Sequence, residues 1–226
     1  MEKEEIKIEI LGLLNTVKRE GMPDLIKFLD ESDFFKAPCS MAFHLCREGG
    51  LAEHSLNVYN LLKEKVERYK VDVPPESVII CGILHDLCKV NLYKIGGEDA
   101  TDAQMKYLKT WYNPVNKVSK KYASKLIEHF KGGASGKDMP QPEPEWTIED
   151  KFPFGHGEKS VSIAQDFIKL ALEEKLAIRW HLLAFDAGIH FNFPSGYPFR
   201  TASESPLVVL TFTADYEASQ ILEMGK

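Results

Sequence analysis

Six side chains in this sequence carry groups that bind divalent metals and fall where a segment turns its apolar side inward: His54, His85, Asp86, His156, His181 and Asp215. The adjacent pair His85-Asp86 closes the apolar run Ile79-Ile80-Cys81-Gly82-Ile83-Leu84, and Lys89 follows three residues past the carboxylate. Apolar residues at 79, 80, 83, 84 and 87 have the spacing of a buried helical stripe. A buried helix does not carry an imidazole and a carboxylate without partners, because an unpaired buried charge is strongly destabilising. A divalent cation is one such partner. Imidazole nitrogen and carboxylate oxygen are ligands that Zn, Mn and Fe accept, and an aspartate can bridge two ions through its two oxygens.

The elements that must position these groups read as helices. Residues 4–18 form an amphipathic segment, Met22-Pro23-Asp24 opens a short helix, and both serve packing. Gly49-Gly50 breaks the chain before a helix to about Tyr69 with the stripe Leu51, Ser55, Val58, Leu62 and Val66. His54 points inward with that stripe, as either a satisfied core histidine or a ligand. Pro75 suits the first turn of the helix that carries His85-Asp86, predicted to run through Lys89. His156 stands between two glycines at the entrance of a helix along Val161, Ala164, Phe167 and Ile168. Ala177, His181 and Ala184 share a predicted helical face, and the alanines leave room beside the imidazole. A last helix opens at Ser205-Pro206, with Asp215 beside its stripe as a boundary carboxylate or a ligand.

Two short alternating segments, 90–95 and 146–150, predict a β-hairpin around an insertion over 96–145. The insertion's lysines (106, 109, 117, 120, 121, 125) read as a solvated face or a phosphate-holding one. An aromatic loop from Asp186 to Ser205, with His190, Phe191, Phe193 and Tyr197, has the length of a lid or pocket wall. Residues 1–38 thus supply packing elements, and 39–95 with 146–226 the metal-binding core, in one domain. A net charge of −6 argues against a protein that grips a long nucleic acid. There is no secretory signal or membrane-spanning run, and the four cysteines form no CxxC pair, so a cytoplasmic protein with reduced thiols is expected.

The order His…His-Asp…Asp, with Gly-Gly-Leu-Ala-Glu-His-Ser-Leu leading and Leu-His-Asp-Leu-Cys-Lys following, resembles the HD-domain metal-dependent phosphohydrolase superfamily. Phe-His-Leu-Cys-Arg-Glu-Gly-Gly-Leu-Ala-Glu-His is also similar to the HD part of bacterial 3′–5′ exoribonucleases of that type. Gly-His-Gly-Glu-Lys-Ser and Ala-Ile-Arg-Trp-His resemble HD hydrolases commonly encoded by bacterial prophages. The resemblance spans roughly 40–222. It departs in having no nucleic-acid-binding domain ahead of this part, and in carrying Leu182 where some dinuclear relatives place a second histidine. It implies an all-α HD-type helical bundle with a small β-hairpin and a helical insertion. It also implies two divalent ions (Mn, Fe, Zn, Ni or Mg): one held by His54, His85, Asp86 and Asp215, the other by His156 and His181 with Asp86 bridging.

The implied reaction is hydrolysis of a phosphate ester by a metal-bound hydroxide, with Lys89 neutralising developing charge. Lys89 equally suits a helix C-terminus, where the dipole favours a cation. Lys159 and Arg179 are candidates for substrate phosphate, His44 and Arg47 for substrate or supporting contacts, and His129 reads as surface. A small phosphorylated substrate, a nucleotide or short phosphodiester, fits a single domain of negative charge, and self-association stays open. Two other readings share these ligands: an HD-type di-iron oxygenase resembling inositol oxygenase, and a metal-stabilised module that binds a nucleotide without turnover.

Overall fold

A computed structural model of the chain describes residues 2–111, 118–134, 136–142, 144–182 and 197–224. They form a mostly helical protein. Ten α-helices are joined by short turns and a single two-stranded sheet among the described residues. The chain divides into two compact units, Lys94–Ile148 and the remainder, Met1–Tyr93 with Glu149–Lys226. The insertion expected over 96–145 is thus a unit of its own, a few residues longer at each end.

The larger unit contains α1 (Lys3–Thr16), α2 (Met22–Glu31), α3 (Gly50–Tyr69) and α4 (Pro75–Leu84). Its second half contains α7 (His156–Gln165), α8 (Leu172–Arg179), α9 (Tyr197–Ala202) and α10 (Pro206–Glu217), the last continued by a π-helical turn, Ala218–Leu222. α4 is the central element. Every residue from Ser77 to Leu84 is buried, as expected of a helix that is apolar all round. It packs against α3 at Gly82, where a Cβ would stand 2.5 Å from Tyr59 Cα. Only glycine admits that approach, and the approach brings His54 and His85 into one layer.

The helix predicted through Lys89 stops at Leu84, and a 3₁₀ turn takes over at Leu87–Lys89. Successive residues of an unbroken helix point about 100° apart, so Asp86 leaves helical geometry (φ −106°, ψ 23°) and its carboxylate is re-aimed. The N–H this break frees at Cys88 is taken up by Ser160 Oγ at 3.0 Å. The helix predicted to hold Ala177, His181 and Ala184 on one face ends at Arg179, so His181 lies beyond it; Ala184 is outside the described residues. The aromatic loop is described only from 197 onward, and there it is helical.

The smaller unit holds β1 (Tyr93–Ile95) from its second residue, α5 (Asp102–Leu108), α6 (Lys120–Lys131) and β2 (Trp146–Ile148). The lysine-rich stretch is thus two helices, each opened by a hydroxyl cap (Thr101, Ser119) and packed through Leu108, Ala123, Leu126 and Phe130. Lys106, Lys109, Lys120, Lys121 and Lys125 all lie outside that small core.

A buried ion cluster ties the larger unit together. Arg19 grips fully buried Glu174 with two hydrogen bonds of 2.6 and 2.7 Å and also donates to Glu76, while Ser77 donates to Glu174 at 2.6 Å. Burial alone would raise the Glu174 carboxyl, but the bonds from Arg19, Ser77 and the Ala171 N–H outweigh it and hold it below its usual range. Arg19→Ala leaves that carboxylate unpaired and is expected to cost about 3–5 kcal/mol in urea unfolding. Because the folded pKa is depressed, this stabilisation is complete above about pH 4.3, the ordinary glutamate value, and is lost as pH falls towards the folded pKa. Glu174→Gln should flatten that acid limb of the stability profile; an unchanged limb would contradict the assignment.

Candidate metal centre

Five imidazoles form a continuous file inside the larger unit. Neighbouring ring centroids are 5.1 Å apart for His44 and His54, 5.2 Å for His54 and His85, 4.9 Å for His85 and His181, and 5.2 Å for His181 and His156. Different elements supply them: the loop before α3, α3 itself, the end of α4, the residue following Trp180, and the first residue of α7. The start of α7 is pressed onto the end of α8 at Gly157, where a Cβ would meet Arg179 O at 2.1 Å. A side chain there would push His156 and His181 apart.

Asp86 sits across the file with only 3 % of its side chain exposed, and its two oxygens face different rings. Oδ2 lies 3.5 Å from His85 Nε2, 3.6 Å from His54 Nε2 and 2.6 Å from Lys89 Nζ. Oδ1 lies 2.7 Å from His156 Nε2 and 3.5 Å from His181 Nε2. Asp215 Oδ1 approaches His54 Nε2 at 3.1 Å. The structure therefore brings all six ligand candidates together. Donor groups close enough to share an ion include His54, His85 and Asp215, then His85, Asp86 and His181, then Asp86, Cys88 and His156.

Three of the rings have their Nδ1 committed elsewhere. His85 Nδ1 donates to Gly82 O at 2.9 Å, His181 Nδ1 to Ile178 O at 2.7 Å, and His54 Nδ1 to the Glu223 carboxylate at 2.9 Å. Fixing Nδ1–H in this way presents Nε2 as a donor atom, the arrangement found around metal-ligating histidines. His181 Nε2 is buried with no hydrogen-bond partner, and His85 Nε2 faces His54 Nε2 at only 3.2 Å. Two ring nitrogens at that separation need a cation between them, either a proton or a metal. A metal would satisfy His181 Nε2, which is left without a hydrogen-bond partner, and would supply the cation that the facing nitrogens of His54 and His85 need, so the residues fit such an ion.

The charges point the same way. Burial would raise the carboxyls of Asp86 and Asp215, yet both are held below their usual range, Asp86 chiefly by Lys89 and His85, Asp215 by His54. Burial likewise opposes the Lys89 ammonium, but Asp86 outweighs it and raises the group. Among the described residues, Asp86, Asp215 and Glu223 set three carboxylates against the Lys89 ammonium, a surplus of two negative charges when the imidazoles are neutral. Burial lowers His85 and His156 towards neutrality. For His54 and His181 burial acts downward too but is outweighed, by Cys39 and Asp215 for the first and by Asp86 for the second, so both are raised.

A cavity of about 450 Å³ opens on this cluster and is lined by His44, His54, Asp86, Lys89 and Asp215 together with an aromatic wall. His44 rests on Cys39 Sγ at 3.1 Å, and Lys89 Nζ on the same sulfur at 3.4 Å. The other proposed substrate contacts are placed elsewhere. Arg47 pairs with Glu53 at 2.5 Å, and Lys159 is buried against Asp150 at 2.6 Å. Arg179 pairs with Glu158 and covers the Trp180 ring, lining a different cavity. Glu223 and Cys39 are the residues that sequence patterning missed. Glu223 reaches His54 only through the π-helical turn, whose register no apolar periodicity announces. Comparison with protein-family models, with curated proteins and with solved structures yields no match.

Two outcomes follow for metal binding, measured by calorimetric titration with Mn²⁺. Glu223→Ala removes the group that fixes the His54 ring and is expected to weaken binding roughly 10–100-fold. Because His54 and His181 must shed protons to bind metal, affinity should rise with pH and each ion bound should release protons. Equal affinity in Glu223→Ala, or affinity independent of pH, would contradict this reading.

Proposed function

We propose that the chain is a metal-dependent phosphohydrolase of the HD type, acting on a nucleotide or short phosphodiester. The observation that carries the proposal is Asp86: its two oxygens face separate pairs of imidazoles, as a carboxylate bridging two cations must. Two divalent ions held there would lower the pKa of a bound water, polarise the phosphoryl oxygens and stabilise both the attacking and the leaving oxygen. His54, His85 and Asp215 lie on the Oδ2 side, and His156 and His181 on the Oδ1 side.

The chain's own groups supply the rest. Lys89 remains an ammonium against Asp86 and lines the cavity, so it offers fixed positive charge to a phosphate without moving a proton. The surplus of carboxylates would repel a phosphate on its own, so substrate binding requires the cations as well. In the hydrolysis the water oxygen bonds to phosphorus, the phosphorus–ester oxygen bond breaks, and a proton from water ends on the leaving oxygen. Fixed Nδ1–H bonds at His54, His85 and His181 keep the rings from turning as charge shifts.

The test is release of phosphate or of a nucleoside from a panel of nucleotides, cyclic nucleotides and dinucleotides, with Mn²⁺, with chelator, and in Asp86→Ala and Lys89→Met. The expectation is turnover that chelator abolishes, that Asp86→Ala lowers at least about a thousandfold, and that Lys89→Met lowers about ten- to a thousandfold. Absence of turnover from protein containing two irons would overturn the proposal in favour of oxygen chemistry. Absence of turnover with tight nucleotide binding would overturn it in favour of a binding module.

A further inference from the structure

The cavity beside Asp86 has two unlike halves. Its floor is polar, with Lys89, His44 and the ligand carboxylates; its outer wall is aromatic, formed by Phe43, Phe212 and Tyr216. Phe212 and Tyr216 lie one turn apart on α10 and stack on one another, with ring centroids 5.8 Å apart and planes inclined by 23°, so the wall holds a supported pair of rings. Phe43 is 87 % exposed, although an exposed phenyl ring gains nothing by facing water. It is not held there loosely. Ser40 Oγ accepts from Phe43 N at 2.9 Å and from His44 N at 3.1 Å, and donates to His44 O at 2.9 Å, so one hydroxyl fixes the turn that presents the ring. Ser219 and Gln220, on the π-helical turn just past Tyr216, bring hydrogen-bonding groups to the same wall.

These halves specify a ligand with two ends. Among the described lining residues Lys89 is the one ammonium or guanidinium, which suits a single phosphate better than a polyphosphate. The volume of about 450 Å³ lies in the range of small-molecule sites, roughly 300–1,000 Å³. Aromatic rings without a fixed polar code favour a planar ring that binds by its face, and a nucleobase has such a face whatever its edge.

We propose that Phe43 and Tyr216 are specificity-determining residues that stack the nucleobase of the substrate, so that the substrate class is a nucleoside monophosphate with its phosphate directed towards Lys89 and Asp86. The cleavage of that phosphate rests on the phosphohydrolase reading above; the base-stacking wall does not. Ring stacking binds substrate and transition state alike, so its loss raises KM and spares kcat.

The experiment compares Mn²⁺-loaded wild type with Phe43→Ala, Tyr216→Ala and Tyr216→Phe on two probes, adenosine monophosphate and ribose 5-phosphate. It reads both steady-state kinetics and equilibrium binding by calorimetry. For adenosine monophosphate each alanine variant should raise KM and Kd roughly five- to a hundredfold with kcat little changed, and Tyr216→Phe, which keeps the ring, should recover most of the affinity lost in Tyr216→Ala. Ribose 5-phosphate should bind more weakly than adenosine monophosphate and be indifferent to all three changes. Binding that follows this pattern without turnover would overturn the hydrolase reading and leave the stacking wall standing. Turnover or binding of adenosine monophosphate unaffected by both alanine changes would overturn the wall, as would failure of adenosine monophosphate to bind at millimolar concentration.

Discussion

Asp86 is a carboxylate removed from water yet kept ionised, and much of the larger unit is arranged to make that tolerable. Burial alone would drive its pKa upward; the ammonium of Lys89 at 2.6 Å and the surrounding imidazoles reverse this. α4 stops at Leu84, and the tighter turn that follows holds Lys89 against Asp86, three residues before it. For His156 and His181 to reach the other oxygen, α7 and α8 must touch backbone to backbone at Gly157. For His54 to reach His85, α3 and α4 must cross at Gly82. Each of these local departures from ordinary helix packing converges on one side chain.

The arrangement is coupled to stability as well as to chemistry. Three carboxylates and one ammonium inside a protein repel more than they attract, and protons on His54 and His181 offset part of that surplus. Divalent ions offset it better, and an ion that binds the folded chain but not the unfolded one stabilises it in proportion to the logarithm of its concentration. The ion cluster of Arg19, Glu76, Ser77 and Glu174 is of the other kind, complete within the protein. The Arg19 cluster pairs the one carboxylate it buries completely, whereas the Asp86 cluster keeps a surplus of buried negative charge facing inward.

The helical character, the hairpin and the six ligand candidates were legible in the sequence because His54, His85 and Asp86 interrupt or close regular apolar periodicities, while flanking small residues marked His156, His181 and Asp215. His54 on the stripe of α3 shows this best: 1 % exposed, on the face shared with Leu51 and Val58. The orientation of the ligands was not legible. It depends on where helices end, as at Leu84 and Arg179, and on the π-helical turn that carries Glu223 to His54. Arg47, Lys159 and Arg179 illustrate the opposite limit. Sequence places a cation near a motif, but only the fold reveals that Glu53, Asp150 and Glu158 have already claimed it. The aromatic wall of the cavity came from segments far apart in the chain, the loop at Phe43 and the helix of Tyr216, which no local pattern joins.

The central claim is that Asp86 bridges two cations. The most direct measurement is an anomalous-difference map from crystals grown or soaked with Mn²⁺. The account predicts two peaks flanking the Asp86 carboxylate, one among His54, His85 and Asp215 and the other towards His156 and His181. No peak within bonding distance of Asp86 under saturating metal, or a single peak held by other residues such as Cys39 and His44, would contradict it.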